Sequence, residues 1–434
     1  MGPLSSLAAG ETRLDWDSLF AGRIARMKAS EIRELLKLLD RPEVISFAGG
    51  IPDPALFPDA AFRDGLQAAL SGADRGQALQ YSLSEGYRPL REWIVGRMAS
   101  LGIVCDVDNI MITSGSQQAL DYLGKLLLSP GDTALTGWPT YLGALQAFNA
   151  YEANYDRLVP GDNRSASAFR DAAEAKGGRA KFIYVSADFA NPSGETLDLS
   201  ERQRILALAD ALDCAVIEDA AYQSLRYEGE EIAPLLALDI ARCGSIEKAR
   251  TIYCGSFSKT LAPGLRVGWV CAPKAVIGRL VLMKQASDLH SATLNQMAVD
   301  HVARTVFDAQ ISRIVATYGA RRDAMLKALS AHMPQGVHWT RPAGGMFIWL
   351  TLPEAIDGAE LLAQSLQREQ VAFVPGRAFY PDAGRGNAIR LSFSCADEGP
   401  IAEGIARLGR SIRRAMDAAT PAAWKTSEPC ARSL

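Results

Sequence analysis

The chain has little that would mark a membrane, metal or nucleic-acid protein. None of its apolar runs approaches the length of a bilayer span. The opening Met1-Gly2-Pro3-Leu4-Ser5-Ser6 has no basic stretch leading into an apolar core, so no secretion signal is expected. The seven cysteines are odd in number, scattered, and never paired as C-x-x-C, which predicts reduced thiols in a cytoplasmic protein rather than a disulfide framework. The four histidines, His290, His301, His332 and His338, show no metal-ligand spacing, so no metal is expected. A formal net charge of −3 argues against a nucleic-acid surface as the main function. Internal repeats and long low-complexity segments are absent as well.

What is present is an ordinary globular composition, 48% hydrophobic and 22% charged, over 434 residues, enough for two or three domains with sizeable cores. Ile24 to Leu39 carries apolar residues at helical spacing. Val44 to Phe47 reads as a short strand ending at Gly49-Gly50, where a ligand could approach the main chain. Strand and helix patterns then alternate. Strands are expected at 110–113, 133–136, 182–185, 215–219, 251–254 and 267–271, with helices such as 119–128 and 201–212 between them. Continuous apolar strands separated by helices imply an α/β fold with a mostly parallel sheet covered on both faces. A helix-rich region from about Ala303 gives way to mixed elements, with strands at 345–350, 371–374 and 389–394 and a helix over 401–416, which suggests a smaller α+β domain.

One stretch organises the chemistry. After the apolar Thr251-Ile252-Tyr253-Cys254 come Gly255-Ser256-Phe257-Ser258-Lys259-Thr260 and then Arg266. The small residues are expected to break the strand into a loop. Two hydroxyls and a forked cation suit a phosphate, and a lysine among them suits an amine held beside a phosphate ester. That is what pyridoxal 5′-phosphate (PLP) requires, with lysine as covalent anchor. Other polar stretches also fall at strand ends: Ser114-Gly115-Ser116-Gln117 entering a helix, Asn191-Pro192-Ser193-Gly194, and Asp219. Sites in such sheets lie outside the carboxyl ends of the strands, so these stretches are expected to converge.

In chain order, Tyr81, Gly115-Ser116-Gln117, Pro139-Thr140-Tyr141, Asn191-Pro192-x-Gly194, Asp219-x-x-Tyr222, Ser256-x-Ser258-Lys259, Arg266 and Arg390 resemble the motifs of the fold-type-I, class I/II aminotransferases. Ile45 to Gly50 and Gln117 to Asp121 are similar to the branch that acts on 2-aminoadipate, kynurenine and aromatic amino acids. The resemblance covers roughly Arg23 to Met416. It implies a seven-stranded PLP-binding domain over 59–305, a small domain over 306–416 joined by an N-terminal helix and strand in 16–58, and disordered ends at 1–15 and 417–434.

The same resemblance implies roles. Lys259 would anchor the cofactor and move a proton at the substrate Cα. Asp219 would pair with the pyridinium nitrogen, Asn191 and Tyr222 would bond the ring oxygen, and Tyr141 would stack on the ring. Ser116, Gln117, Ser256, Ser258 and Arg266 would hold the phosphate, with Tyr81 reaching it from a second subunit of a homodimer. Arg390 would grip the substrate α-carboxylate, with Asn191 and Gly50 beside it. Arg26, on a mobile cover, would read an acidic side chain. The implied reaction moves an amino group from an aromatic, bulky aliphatic or 2-aminoadipate-like L-amino acid to a 2-oxo acid, 2-oxoglutarate being expected. Alternatives are β-elimination or decarboxylation on the same scaffold. A ligand-sensing regulator is a further one, for which too few residues precede Ser46 to form the winged helix that such proteins carry. Ala190, Ser193 and Ala220-Ala221 depart from the family's commoner residues and bear on pocket shape.

Overall fold

The computed structural model describes residues 14–27, 43–73, 75–382, 384 and 386–419. After β1 (Ile45–Ser46), the chain builds β2 (Ile110–Thr113), β3 (Thr133–Gly137), β4 (Asn154–Leu158), β5 (Ala180–Val185), β6 (Ala215–Asp219), β7 (Thr251–Ser256) and β8 (Gly268–Cys271). These last seven form one sheet in the order β2-β8-β7-β6-β5-β3-β4. Only β8 runs against its neighbours. Alternate residues feed opposite faces. Phe182, Tyr184 and Ile217 pack with Leu120, Leu123 and Phe148 on one side, while Ile183 and Val216 pack with Ile205, Leu206 and Ala209 on the other. Burial on both faces is why these strands read as continuous apolar runs.

The small domain holds β9 (His338–Trp339), β10 (Phe347–Thr351), β11 (Val371–Ala372), β12 (Val374–Pro375) and β13 (Ala388–Ser392). Four of them make an antiparallel sheet, β12-β13-β10-β9, and β1 pairs in parallel with β11, Ile45 opposite Val371. Helix Thr293–His332 serves both cores. Its first half packs Val299, Val302 and Phe307 against the large domain, and its second half packs Ile314, Tyr318, Met325 and Leu329 against the small one. The expected domain boundary near 305 therefore falls inside a 40-residue helix. Among the described residues, no helix is long and apolar enough to cross a membrane.

Several expectations are corrected. The helix placed from Ile24 onwards is, in its described part, a 3-10 turn over Gly22–Arg26 followed by extended Met27; residues 28–39 lie outside the described set. Every residue from 14 to 27 is exposed, so no buried face exists to reward an α-helix there. β7 does not break after Cys254 but continues through Gly255 and Ser256. β4 was not anticipated: as an edge strand with polar, half-buried residues it carries no apolar run. The last helix, Glu398–Ala419, extends past Met416, so 417–419 are not tail, and 1–13 and 420–434 lie outside the described set.

A buried ion pair fixes the loop after β5. Arg202, wholly buried, donates to Asp188 Oδ1 at 2.8 Å and to the carbonyls of Ala187 and Leu197 at 3.2 and 3.0 Å. Arg226 reaches the same carboxylate oxygen at 2.9 Å. This clamps both ends of the segment that carries Asn191. Removing one partner of such a pair leaves buried charge uncompensated, at a cost of about 3–5 kcal/mol. Asp188→Ala is expected to lower stability by that amount in denaturant titration; a loss below about 1 kcal/mol, the value of an exposed pair, would show that the clamp is dispensable.

Candidate active site

The polar strand ends do converge. One cleft at the carboxyl edge of the sheet is lined by Ser116, Gln117, Tyr141, Asn191, Asp219, Tyr222, Ser256, Ser258, Lys259 and Arg266, together with Tyr184, Ser186, Ala221 and Pro263.

Asp219 ends β6. The strand period sends its neighbour Glu218 to the opposite face, where Glu218 accepts from the backbone N–H groups of Leu235 and Leu236 at 2.8 and 3.0 Å. Asp219 points into the cleft, 5% exposed. Its Oδ2 accepts from Tyr184 Oη at 2.8 Å, while its Oδ1 is buried without a protein partner. Burial raises its pKa; the Tyr184 bond, the Ala221 backbone and Lys259 oppose the rise. An orphaned carboxylate oxygen in this position fits a cationic N–H donor such as a pyridinium.

The anion-binding end is built from two strand–turn junctions. Helix Ser116–Leu127 begins at Gly115, whose φ of +80° and closeness to Arg266 both demand glycine: an added Cβ would stand 2.2 Å from Arg266 Nη2. The helix N-terminus thus offers backbone N–H groups beside a guanidinium. Gln117 lines the cleft and commits one side-chain N–H to Gly143 O at 2.6 Å. From β7, Ser256 Oγ accepts from Ser258 N at 3.1 Å. Arg266 has a left-handed backbone (φ 54°, ψ 51°), a strained conformation for a residue with a side chain. Its Nη1 lies 3.1 Å from Pro263 O and 3.5 Å from Ser258 Oγ, and its Nη2 lies 3.4 Å from Ser114 O. Hydroxyls, helix N–H groups and a fork together suit a phosphate.

Lys259 Nζ donates to Gly50 O at 2.9 Å and stands 5.9 Å from the Tyr222 ring centre. Burial first, then the charges of Arg390 and Arg266, push its pKa down to about 8. Asn191 Nδ2 donates to Tyr222 Oη at 3.4 Å, and Asn191 Oδ1 accepts from Arg390 Nη1 at 2.8 Å. Arg390 comes from β13 of the small domain and is 2% exposed. Its Nη2 donates to Ala48 O at 3.0 Å, and its guanidinium lies 4.2 Å from the Phe347 ring centre. Burial lowers its pKa to about 10. Its partners are neutral, which leaves a buried cation suited to a ligand carboxylate. Gly50 belongs here by position, but for space rather than backbone freedom: an added Cβ would meet Phe347 Cζ at 3.0 Å.

Two expected residues are not brought to this cleft. Tyr81 is 79% exposed and sits edge-on to His290 at 6.0 Å. Arg26 donates to Ala153 O at 3.3 Å, beside the start of β4 and so at the opposite end of the strands from the cleft. The expectation that Arg26 reads a substrate side chain gains no support from its place in this chain. One residue was missed: Tyr184 holds Asp219. A tyrosine inside a buried strand needs a partner for its hydroxyl, and that signal was available.

Comparison with known proteins agrees with this chemistry. The model of the family described as aminotransferase class I and II matches residues 44–408. Aromatic-amino-acid aminotransferase 1 of Thermococcus litoralis is 42% identical over 415 residues, covering 93% of this chain and 96% of that protein. The 2-aminoadipate transaminase of Thermus thermophilus is 40% identical over 407 residues, covering 92% and 98%. The crystal structure of a Thermus thermophilus α-aminoadipate aminotransferase, complexed with N-(5′-phosphopyridoxyl)-L-leucine, superposes with a TM-score of 0.83 at 37% identity, covering 93% of this chain and all of that one.

The depressed Lys259 pKa has a checkable sign. A neighbouring cation disfavours the ammonium form, so removing it must raise the pKa. In the cofactor-free chain, the pH profile of amine labelling at Lys259 should have its midpoint near 8. In Arg390→Met the midpoint should move upward, so that labelling at pH ~7.5, just below that midpoint, slows. An unmoved midpoint would mean that the two groups do not share a field.

Proposed function

The chain belongs to the class I and II aminotransferases, and on that premise we propose which residues carry the reaction and which substrates it takes. It is a PLP-dependent enzyme that moves an amino group between an amino acid and a 2-oxo acid. The observation that carries the residue-level reading is the cleft that the Lys259 amine and the orphaned Asp219 Oδ1 share, with the Arg390 guanidinium bonded to Asn191 of its lining.

When bound, PLP supplies the carbonyl that takes up the amino group and the ring that accepts the electrons released at the substrate Cα. The chain's own groups do the rest. Lys259 would anchor the cofactor through Nζ, and its amine, when free, would carry the proton from the substrate Cα to the cofactor's C4′. The lowering of its pKa to about 8, by burial first and then by Arg390 and Arg266, favours the neutral amine that anchoring requires. Asp219 keeps a proton on the ring nitrogen, and Tyr184 holds Asp219 in place. Asn191 and Tyr222 bond the ring oxygen, and Tyr141 covers one ring face. Ser116, the Gln117 N–H, Ser256, Ser258 and Arg266 bind the phosphate. Arg390 takes the α-carboxylate in a bidentate pair, held at the right angle by Asn191 Oδ1 and Ala48 O.

For substrates, the named relatives support an aromatic or 2-aminoadipate-like donor, and the leucine adduct in the Thermus thermophilus structure supports a bulky aliphatic one; 2-oxoglutarate is the acceptor this reading expects. The active unit is a homodimer: Leu79, Tyr81 and Leu83 are 76%, 79% and 65% exposed, an apolar strip that a second copy would cover and from which Tyr81 would reach the neighbouring cleft. The working division is a large domain over 59–305 and a small one over 306–416. Free thiols among the described residues support a reducing compartment, the cytoplasm.

Borohydride reduction followed by peptide mapping tests the anchor: PLP should be fixed to Lys259 and lost in Lys259→Ala, and PLP fixed to another lysine would sink the assignment. Mixing the holoenzyme with single amino acids while following cofactor absorbance ranks the donors. A 2-oxo acid product supports transamination; ammonia or carbon dioxide would instead support the lyase or decarboxylase reading. Sedimentation should show a dimer, and a fully active monomer would remove Tyr81 from the site.

A further inference from the structure

Helix Lys274–Gln285 carries a lysine whose side chain has no exposure at all, behind the anion-binding end of the cleft. Lys284 Nζ donates to Gln118 Oε1 at 2.8 Å and to both carboxylate oxygens of Asp288 at 3.0 Å. Gln118 passes the contact on: its Oε1 also accepts from Ser114 N at 2.9 Å, and its Nε2 donates to Asp288 Oδ2 at 2.7 Å. Ser114 Oγ donates to the same Asp288 oxygen at 3.0 Å. Ser114 is thereby held at its N–H and its hydroxyl, and its third polar group, the carbonyl, lies 3.4 Å from Arg266 Nη2. The next residue is Gly115, the positive-φ turn into helix Ser116–Leu127. Hydrogen bonds therefore run unbroken from Lys284 to the guanidinium and to the helix N-terminus that face the phosphate site.

A buried ammonium–carboxylate pair is a poor source of stability, since an apolar side chain of similar volume commonly serves as well or better. What the pair supplies here is direction. All three ammonium hydrogens are used, and each partner either belongs to the Ser114 turn or bonds to it.

We propose that Lys284 is a positioning residue for phosphate recognition, fixing through Gln118, Asp288 and Ser114 both the turn at Gly115 and the carbonyl that steers Arg266. It touches neither substrate nor cofactor. The proposal rests on the reading of Ser116, Ser256, Ser258 and Arg266 as the phosphate site.

Equilibrium binding of PLP and of pyridoxal, which lacks the phosphate, tests it. Wild type should prefer PLP strongly; equal affinity for the two would overturn the phosphate-site reading itself. Given that preference, Lys284→Met should weaken PLP about tenfold, as for the loss of one hydrogen bond of ordinary strength, and leave pyridoxal unchanged. A merely structural role would weaken both alike, and that outcome, or unchanged PLP affinity, overturns the proposal. Gln118→Met keeps the Lys284–Asp288 pair and the Asp288–Ser114 bond but removes the arm to the Ser114 N–H, so it should show the same split in smaller degree and decides the matter if Lys284→Met does not fold. In an Arg266→Ala background the Lys284→Met effect on PLP should shrink; full additivity would mean that the network does not act through Arg266.

Discussion

A buried arginine with no carboxylate partner among the described residues is the constraint on which the rest depends. Arg390 is carried into the seam by β13, bonded across it to Asn191 of the large domain and to Ala48 of the segment that follows β1. A guanidinium that is 2% exposed is costly to keep charged, and three neutral devices reduce the cost: an amide oxygen, a backbone carbonyl, and the faces of Phe347 and Phe379 at 4.2 and 5.0 Å. These partners come from different elements. Their agreement on one point sets where the small domain sits on the large one, and therefore how the cleft is closed. The Arg202–Asp188 clamp serves the same end by holding the loop that delivers Asn191.

The sheet explains why the other groups arrive together. Parallel strands β3, β5, β6 and β7 all end at one edge, so whatever follows each of them meets there. This much was legible in the sequence, because both-face burial leaves apolar runs whose polar ends are conspicuous: Ser114-Gly115-Ser116, Asn191, Asp219 and Ser256 to Lys259. The legible part stops where burial does. β4 is a half-polar edge strand and gives no run. Of the helical apolar period over 24–39, only its first residues are described, and there the chain is an exposed 3-10 turn over Gly22–Arg26.

Contacts that depend on orientation were beyond periodicity altogether. Gln117 and Gln118 are adjacent and chemically identical, yet one turns its amide to Gly143 O and the other to Ser114, Asp288 and Lys284. Lys284, in a helix of weak pattern, reads as a surface residue until its three acceptors are seen. Glu218 and Asp219 look interchangeable as a dipeptide. Strand alternation separates them, committing Glu218 to a helix N-terminus and leaving Asp219 alone with an open oxygen.

The arrangement of charge follows from what the cleft must receive. Arg266 in its lining and Arg390, bonded to Asn191 of that lining, suit two anions, a phosphate and a carboxylate, while Asp219 has a buried oxygen that suits a cationic ring nitrogen. Burial, and then the charges of Arg390 and Arg266, make the Lys259 ammonium form unfavourable and bring its pKa to about 8. The field that prepares the site for two anions therefore also frees the amine that has to act as nucleophile and base.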